Sequence, residues 1–237
     1  MKIQFIPTKD IGRDFPPTPM KKNVPDWYKN VSPEIGEKTA AWLQENNSKT
    51  NGTIRKCMPV LDFMTSGYAL KTQSEILVSV LPAGEGQELR WYHASSESDT
   101  VSHHPYDQCP VKIQNEQKTY IKFRCGYIVR TPPGYSCMFF QSPYFMHEGI
   151  ELFPAIVDTD TYDGEIYFPG FVSKNYSNLS IPAGTPLVTA FPFKREVWEA
   201  EISKDSLPSA GKKFTALSQT WLSDIYKNFF RQEKEYK

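Results

Sequence analysis

Pro132-Pro133-Gly134-Tyr135, then Ala155-Ile156-Val157-Asp158-Thr159-Asp160-Thr161-Tyr162-Asp163-Gly164-Glu165-Ile166, then Ile181-Pro182-Ala183-Gly184-Thr185-Pro186-Leu187-Val188 and Phe191-Pro192-Phe193-Lys194-Arg195 follow one another across the centre of the chain. Proline fixes φ and removes a donor, and glycine opens positive φ, so each cluster ends one extended run and begins the next. Short β-rich runs at this spacing predict a mainly β fold, a sandwich or a distorted, partly closed barrel. Asp158 and Asp160 lie in an acidic turn between two such runs, where a rigid scaffold can aim carboxylates and backbone amides at a ligand.

Outward from this centre, the pattern predicts strands at 68–72, 75–81, 88–94, 120–130, 135–141, 150–157, 164–172 and 186–193. Phe168-Pro169-Gly170 marks a bulge or an edge. Met1 to Phe5 alternates like a strand, Pro25-Asp26-Trp27-Tyr28 starts a helical turn, and 37–46 reads as a short helix. Residues 54–65 fit helix or strand equally. At the other end, Phe214, Leu217, Trp221, Leu222, Ile225 and Phe229 recur at helical spacing and predict one amphipathic helix over 212–233. The expected organisation is a wrapping arm at 1–53, a β-rich core at 54–203 and the C-terminal helix within 204–237. The polar stretch 95–119, containing His103-His104-Pro105, is a long connection of the kind that is functional or mobile, and is a candidate lid.

With 237 residues the chain can bury one good-sized core. Lys plus Arg and Asp plus Glu both number 27, so there is no basic surplus for extended DNA or RNA. No apolar run approaches membrane-spanning length, and a soluble cytoplasmic protein with no membrane partner is expected. Cys57, Cys109, Cys125 and Cys137 show no Cys-x-x-Cys spacing and are expected to be reduced and mostly buried.

Asp158, Asp160 and Asp163 crowd one turn, where carboxylates can hold a cation or sugar hydroxyls, or simply cap their own backbone. The glycine and terminal glutamate of a calcium loop are absent. Adjacent His103 and His104 on an extended chain point to opposite sides, which suits a ligand-contacting lid better than a shared metal. Arg124, Arg130, Lys194 and Arg195 flank the predicted strands as candidate phosphate partners. Nucleophile-elbow, P-loop, dinucleotide-glycine and His-Glu-x-x-His motifs are all missing.

Cys57-Met58-Pro59, Val129-Arg130-Thr131-Pro132-Pro133-Gly134-Tyr135, Ile156-Val157-Asp158-Thr159-Asp160, Gly184-Thr185-Pro186 and Phe191-Pro192 together resemble a phage and bacterial domain family of unknown function, over about residues 55–200. Pro132 to Tyr135, Val157 to Ile166, Gly184 to Thr189 and Ser66-Gly67-Tyr68-Ala69-Leu70 also resemble, in order and separation, motifs of the dUTPase and dCTP deaminase β-clip fold. That resemblance implies a sugar-contacting role for Asp158 and a base-packing role for Tyr162. Ala69 replaces an acidic residue of the family, Gln141-Ser142-Pro143-Tyr144 stands where its phosphate loop would be, Thr161 is an extra residue, and its glycine-rich C-terminal arm is missing. Metal–triphosphate hydrolysis would lose its main parts.

The expectation is therefore noncatalytic binding of a small nucleotide-like ligand by a homo-oligomer, in a phage setting as sequestration of a host nucleotide signal. Tyr135 and Tyr162 would stack the base, Asp158 and Asp160 would accept from ribose hydroxyls, Arg124 or Arg130 would pair with phosphate, and His103 and His104 would close from the lid. No cofactor is expected. The alternatives are a nucleotide phosphohydrolase with Asp158 as general base and Mg²⁺ as a possible cofactor, or a structural or protein-interaction module.

Overall fold

Glycine and proline cut the central stretch into strands much as their backbone preferences require. In a computed structural model, the described residues are 1–8, 13–45, 52–83, 86–93, 100–103, 108–109, 118–142, 144, 149–173, 178–203, 211–218 and 224–237. The fold is mainly β, with antiparallel pairing throughout the named strands. The chain forms two compact units: Met1–Asn23 with Gly67–Arg195, and Val24–Ser66 with Glu196–Lys237.

The first unit holds the strands β1 (Gln4–Pro7), β2 (Thr18–Pro19), β3 (Tyr68–Lys71), β4 (Ile76–Ala83), β5 (Gly86–His93), β6 (Val101–His103), β7 (Lys118–Arg124), β8 (Tyr127–Arg130), β9 (Tyr135–Gln141), β10 (Ile150–Leu152), β11 (Ala155–Val157), β12 (Tyr167–Ser173), β13 (Asn178–Ile181) and β14 (Pro186–Lys194). A five-stranded sheet has the order β11-β9-β14-β3-β2, and a four-stranded sheet the order β10-β12-β7-β6. β13-β4-β5 and β1-β8 make two smaller sheets. Period-two alternation places Ile121, Phe123, Val129, Cys137, Phe139, Phe168 and Val172 in one core, which Leu187 and Val188 join at the register shift between Pro186 and Val188. Burial of these side chains is the main favourable term, each worth about 1.5–3 kcal/mol relative to exposure.

Two predicted strands are split by the residues that bend them. The run 120–130 breaks at Gly126, whose φ is +73°, giving β7 and β8. The run 150–157 breaks at Phe153-Pro154, giving β10 and β11, which join different sheets. Pro169 lies in β12, inside the four-stranded sheet, opposite Lys122. Its carbonyl accepts from Phe153 N–H at 2.9 Å, so its missing donor faces the side where β10 has already ended. Next to it, Gly170 leaves room for β10: a Cβ there would stand 2.4 Å from the Glu151 carbonyl oxygen.

In the second unit, α1 (Asp26–Asn30), α2 (Glu37–Glu45) and α3 (Met58–Thr65) follow in sequence. The ambiguous stretch 54–65 resolves as a 3₁₀ turn at Ile54–Lys56 leading into α3, with Pro59 tolerated in the first helical turn. The single helix expected over 212–233 is not formed. Helix covers Lys212–Ser218, Asp224 takes φ +54°, a π-type turn spans Tyr226–Phe230, and the chain then leaves helical geometry. Past this turn, Arg231 Nη2 and Lys234 Nζ donate to the buried Asp62 carboxylate at 2.7 and 3.0 Å. The Arg231 hydrogen bond, with help from Lys234, holds the Asp62 carboxyl below its ordinary range.

Candidate functional site

Three chain segments meet beside the acidic turn. The first is the hairpin turn between β8 and β9, where Tyr135 N–H donates to the Pro132 carbonyl at 3.2 Å and Gly134 takes φ +82°, the pattern of a type II turn. The second is the turn after β11, in which the Asp158 carbonyl accepts from Thr161 N–H at 3.1 Å and Tyr162 N–H at 2.9 Å. The third is the end of β14, where Arg195 N–H donates to the Gly134 carbonyl at 2.9 Å. β9 aligns them, since Cys137 stands opposite both Val157 and Pro192.

The half-buried Thr131 and the buried Thr159 tie the first two segments together. Thr131 N–H donates to the Thr159 carbonyl at 3.2 Å, and the Thr131 hydroxyl donates to the Tyr135 carbonyl at 3.0 Å. The Thr131 oxygen therefore accepts from the Thr159 hydroxyl at 2.7 Å.

The two aspartates of the turn have different surroundings. Asp160 has a side chain only 6% exposed; its Oδ2 accepts from Gly134 N–H at 2.8 Å and from Arg195 Nη2, and its Oδ1 accepts from Arg195 Nη1 at 2.8 Å. This is a two-pronged guanidinium–carboxylate pair. Arg195, followed by the Gly134 amide, pulls the Asp160 carboxyl down to about 2, and Asp160 raises the Arg195 guanidinium in return. Asp158 is 63% exposed. Its Oδ1 accepts from the Ser136 hydroxyl at 2.7 Å and from Arg195 Nη1 at 3.3 Å, while Oδ2 has no protein donor among the described residues. Arg195 Nη1 also donates to Ser136 Oγ at 3.0 Å, so serine and arginine fix the Asp158 carboxylate from two sides.

Tyr162 stands on the same turn with its ring 46% exposed and its hydroxyl donating to the Glu165 carbonyl at 3.3 Å. Gly164 makes that posture possible, because a Cβ there would lie 2.5 Å from the Tyr162 hydroxyl oxygen. Tyr135 is half-buried, with its carbonyl taken by Thr131 and Arg195. Asp163 is exposed.

Of the candidate cations, Arg130 is exposed at the end of β8, one residue from Thr131, and no carboxylate pairs with it among the described residues. Arg124 lies on β7 and is held by Glu165, with Nε and Nη2 at 3.2 and 2.7 Å from its two oxygens. His103 closes β6, opposite Ile121. His104 and most of the expected lid at 95–119 lie outside the described residues, as does His147.

The structure thus brings Asp158, Asp160, Tyr135 and Tyr162 into one cluster, adds Gly134 and Ser136 to it, and gives Arg195, a candidate phosphate partner in the sequence, to the two aspartates. Arg195 was visible as a strand-end cation; its pairing with Asp160, 35 positions away, had no local signal. Among the described residues, no three His, Cys, Asp or Glu side chains group as metal ligands. Cys109, Cys125 and Cys137 are buried free thiols and Cys57 is exposed; burial pushes the Cys137 thiol up to about 11. No helix among the described residues is long and apolar enough to cross a membrane. No protein-family model matches the chain, and none of the curated proteins matches it significantly.

Proposed function

We propose that this chain binds a small nucleotide-like ligand without turning it over, at the Asp158 turn. The observation that carries this reading is the asymmetry of the Asp158 carboxylate: Oδ1 is fixed by Ser136 and Arg195, and Oδ2 is open on an exposed side chain. An oriented, unpaired carboxylate oxygen is suited to accept from a sugar hydroxyl. The exposed Tyr162 ring offers a flat face for a base, and Arg130 offers a guanidinium for phosphate. Since Arg124 is engaged by Glu165, the phosphate role in this reading falls to Arg130. Asp160, clamped by Arg195 and Gly134 N–H and held at a pKa of about 2, is a fixed part of the scaffold, so acid–base chemistry at this turn would fall to Asp158 alone. In a phage setting, such a site would retain a host nucleotide signal.

Calorimetric titration with nucleoside monophosphates and ribose 5-phosphate tests this, with mass spectrometry of the recovered ligand. Expected are intact ligand and a loss of about tenfold in affinity for Asp158→Asn, the scale of one charge-assisted hydrogen bond. Recovery of cleaved ligand, with cleavage abolished in Asp158→Asn, would replace binding by phosphohydrolysis.

One observation favours assembly as well. Val197, Trp198 and Ile202, in a non-helical stretch of the second unit, are 95, 84 and 95% exposed. Large apolar side chains this open are costly to leave in water, and we read them as a contact between two copies of this chain.

A further inference from the structure

Two exposed surfaces of the second unit carry opposite charge around apolar side chains. The first is the chain from Glu196 to Ile202, which is neither helix nor strand. Its carboxylates are Glu196, Glu199 and Glu201, it contains no cation, and its apolar side chains are Val197, Trp198 and Ile202. Those apolar side chains stand almost wholly in solvent, so they do not pack on their own copy. Neither Glu199 nor Glu201 forms an ion pair among the described residues.

The second surface lies where the helix Lys212–Ser218 meets the π-type turn Tyr226–Phe230. The Phe214 ring packs on the Phe230 ring with centroids 6.2 Å apart, and the Lys213 ammonium sits 5.1 Å from the centroid of that same Phe230 ring. Lys213 and Phe214 thus converge on one ring, and Lys212, Lys213 and Phe214 are all exposed. Neither the helix nor the turn contains an acid, and no carboxylate pairs with Lys212, Lys213 or Lys227 among the described residues.

We infer that the acidic, apolar segment Glu196 to Ile202 of one copy docks on the basic, aromatic surface around Lys213, Phe214 and Phe230 of a second copy. This rests on the reading of Val197, Trp198 and Ile202 as an assembly contact, and it names what they meet. Pairing the segment with itself would bring two sets of carboxylates together, and like charges across an interface repel. On the basic surface the same carboxylates face lysines, and the Trp198 ring lies against Phe214 and the Lys213 ammonium. In a two-fold dimer each copy gives its segment and receives the other's, so the contacts close and no filament grows.

Light scattering coupled to gel filtration, on the full chain and on two charge-reversed variants, tests the pairing. The native chain should be a dimer. Lys212→Glu with Lys213→Glu, and separately Glu199→Lys with Glu201→Lys, should each weaken that dimer about tenfold or more, because like charges then face each other. An equimolar mixture of the two variants should restore a dimer: the acidic segment of one meets the basic surface of the other, and the basic segment of the second meets the acidic surface of the first. Misfolded variants could not be rescued by mixing. A native dimer that survives Lys212→Glu with Lys213→Glu, or a mixture that stays monomeric, overturns the inference and leaves the assembly reading in place. A native chain that is monomeric at every concentration removes both.

Discussion

At the scale of single residues, Asp158 and Asp160 show how far identical side chains two positions apart can diverge. Asp160 holds the hairpin turn and the end of β14 together through Gly134 N–H and Arg195, whereas Asp158 keeps one oxygen for solvent or a ligand. This division has a pH signature. The folded-state pKa of Asp160, depressed to about 2 mainly by the Arg195 hydrogen bond, lies below that of an unfolded aspartate at about 3.9. The unfolded chain therefore takes up the proton first, and the stability from this carboxylate is fully present above about pH 4 and lost as pH falls through about 2. In thermal melts, the deficit of Asp160→Asn relative to the native chain should be constant from pH 7 to 5 and shrink between about pH 4 and 2. A deficit unchanged at pH 2 would mean that the carboxylate is not held by Arg195.

At the scale of elements, two glycines make opposite demands. Gly134 needs its backbone angle: a Cβ there meets nothing within 4 Å, yet φ is +82°. Gly134→Ala should therefore cost only the left-handed penalty, about 1 kcal/mol, in urea unfolding. Gly170 needs its space: a Cβ would press on the Glu151 carbonyl and stand 2.9 Å from Leu152 Cα. Backbone on the far side cannot rotate away as a side chain can, so β10 must separate from β12. Gly170→Ala should cost about 1–3 kcal/mol, the range of an overpacked core, and exceed Gly134→Ala. The reverse order would place β10 elsewhere than opposite Val172 to Gly170.

At the scale of the whole molecule, the exposed Val197, Trp198 and Ile202 decide whether the chain acts alone. Light scattering coupled to gel filtration should show the native chain larger than a monomer and Trp198→Asp as a monomer. The melting of that variant at low protein concentration should be unaltered within about 0.5 kcal/mol, as for an ordinary surface change. A monomeric native chain would remove the assembly reading and leave the nucleotide reading untouched.

Much of the β content was legible from the sequence because it is set locally. Proline and glycine stop strands through their own φ preferences, so β3, β4, β9 and β14 fall close to where composition placed them, and the type II turn at Pro132 to Tyr135 is written in four residues. The acidic turn after Val157 was equally visible as a site candidate. Other features needed the folded chain. β13 is a four-residue strand defined by its pairing with β4, and the hydrogen bond from Arg231 to the buried Asp62 spans 169 positions. The same holds inside the site. Which aspartate is tied down and which stays open depends on Arg195 arriving from the end of β14. Backbone preference is a property of a few neighbouring residues and can be read from them, whereas hydrogen-bond partnership across a sheet is fixed only when strands distant in sequence take up their register.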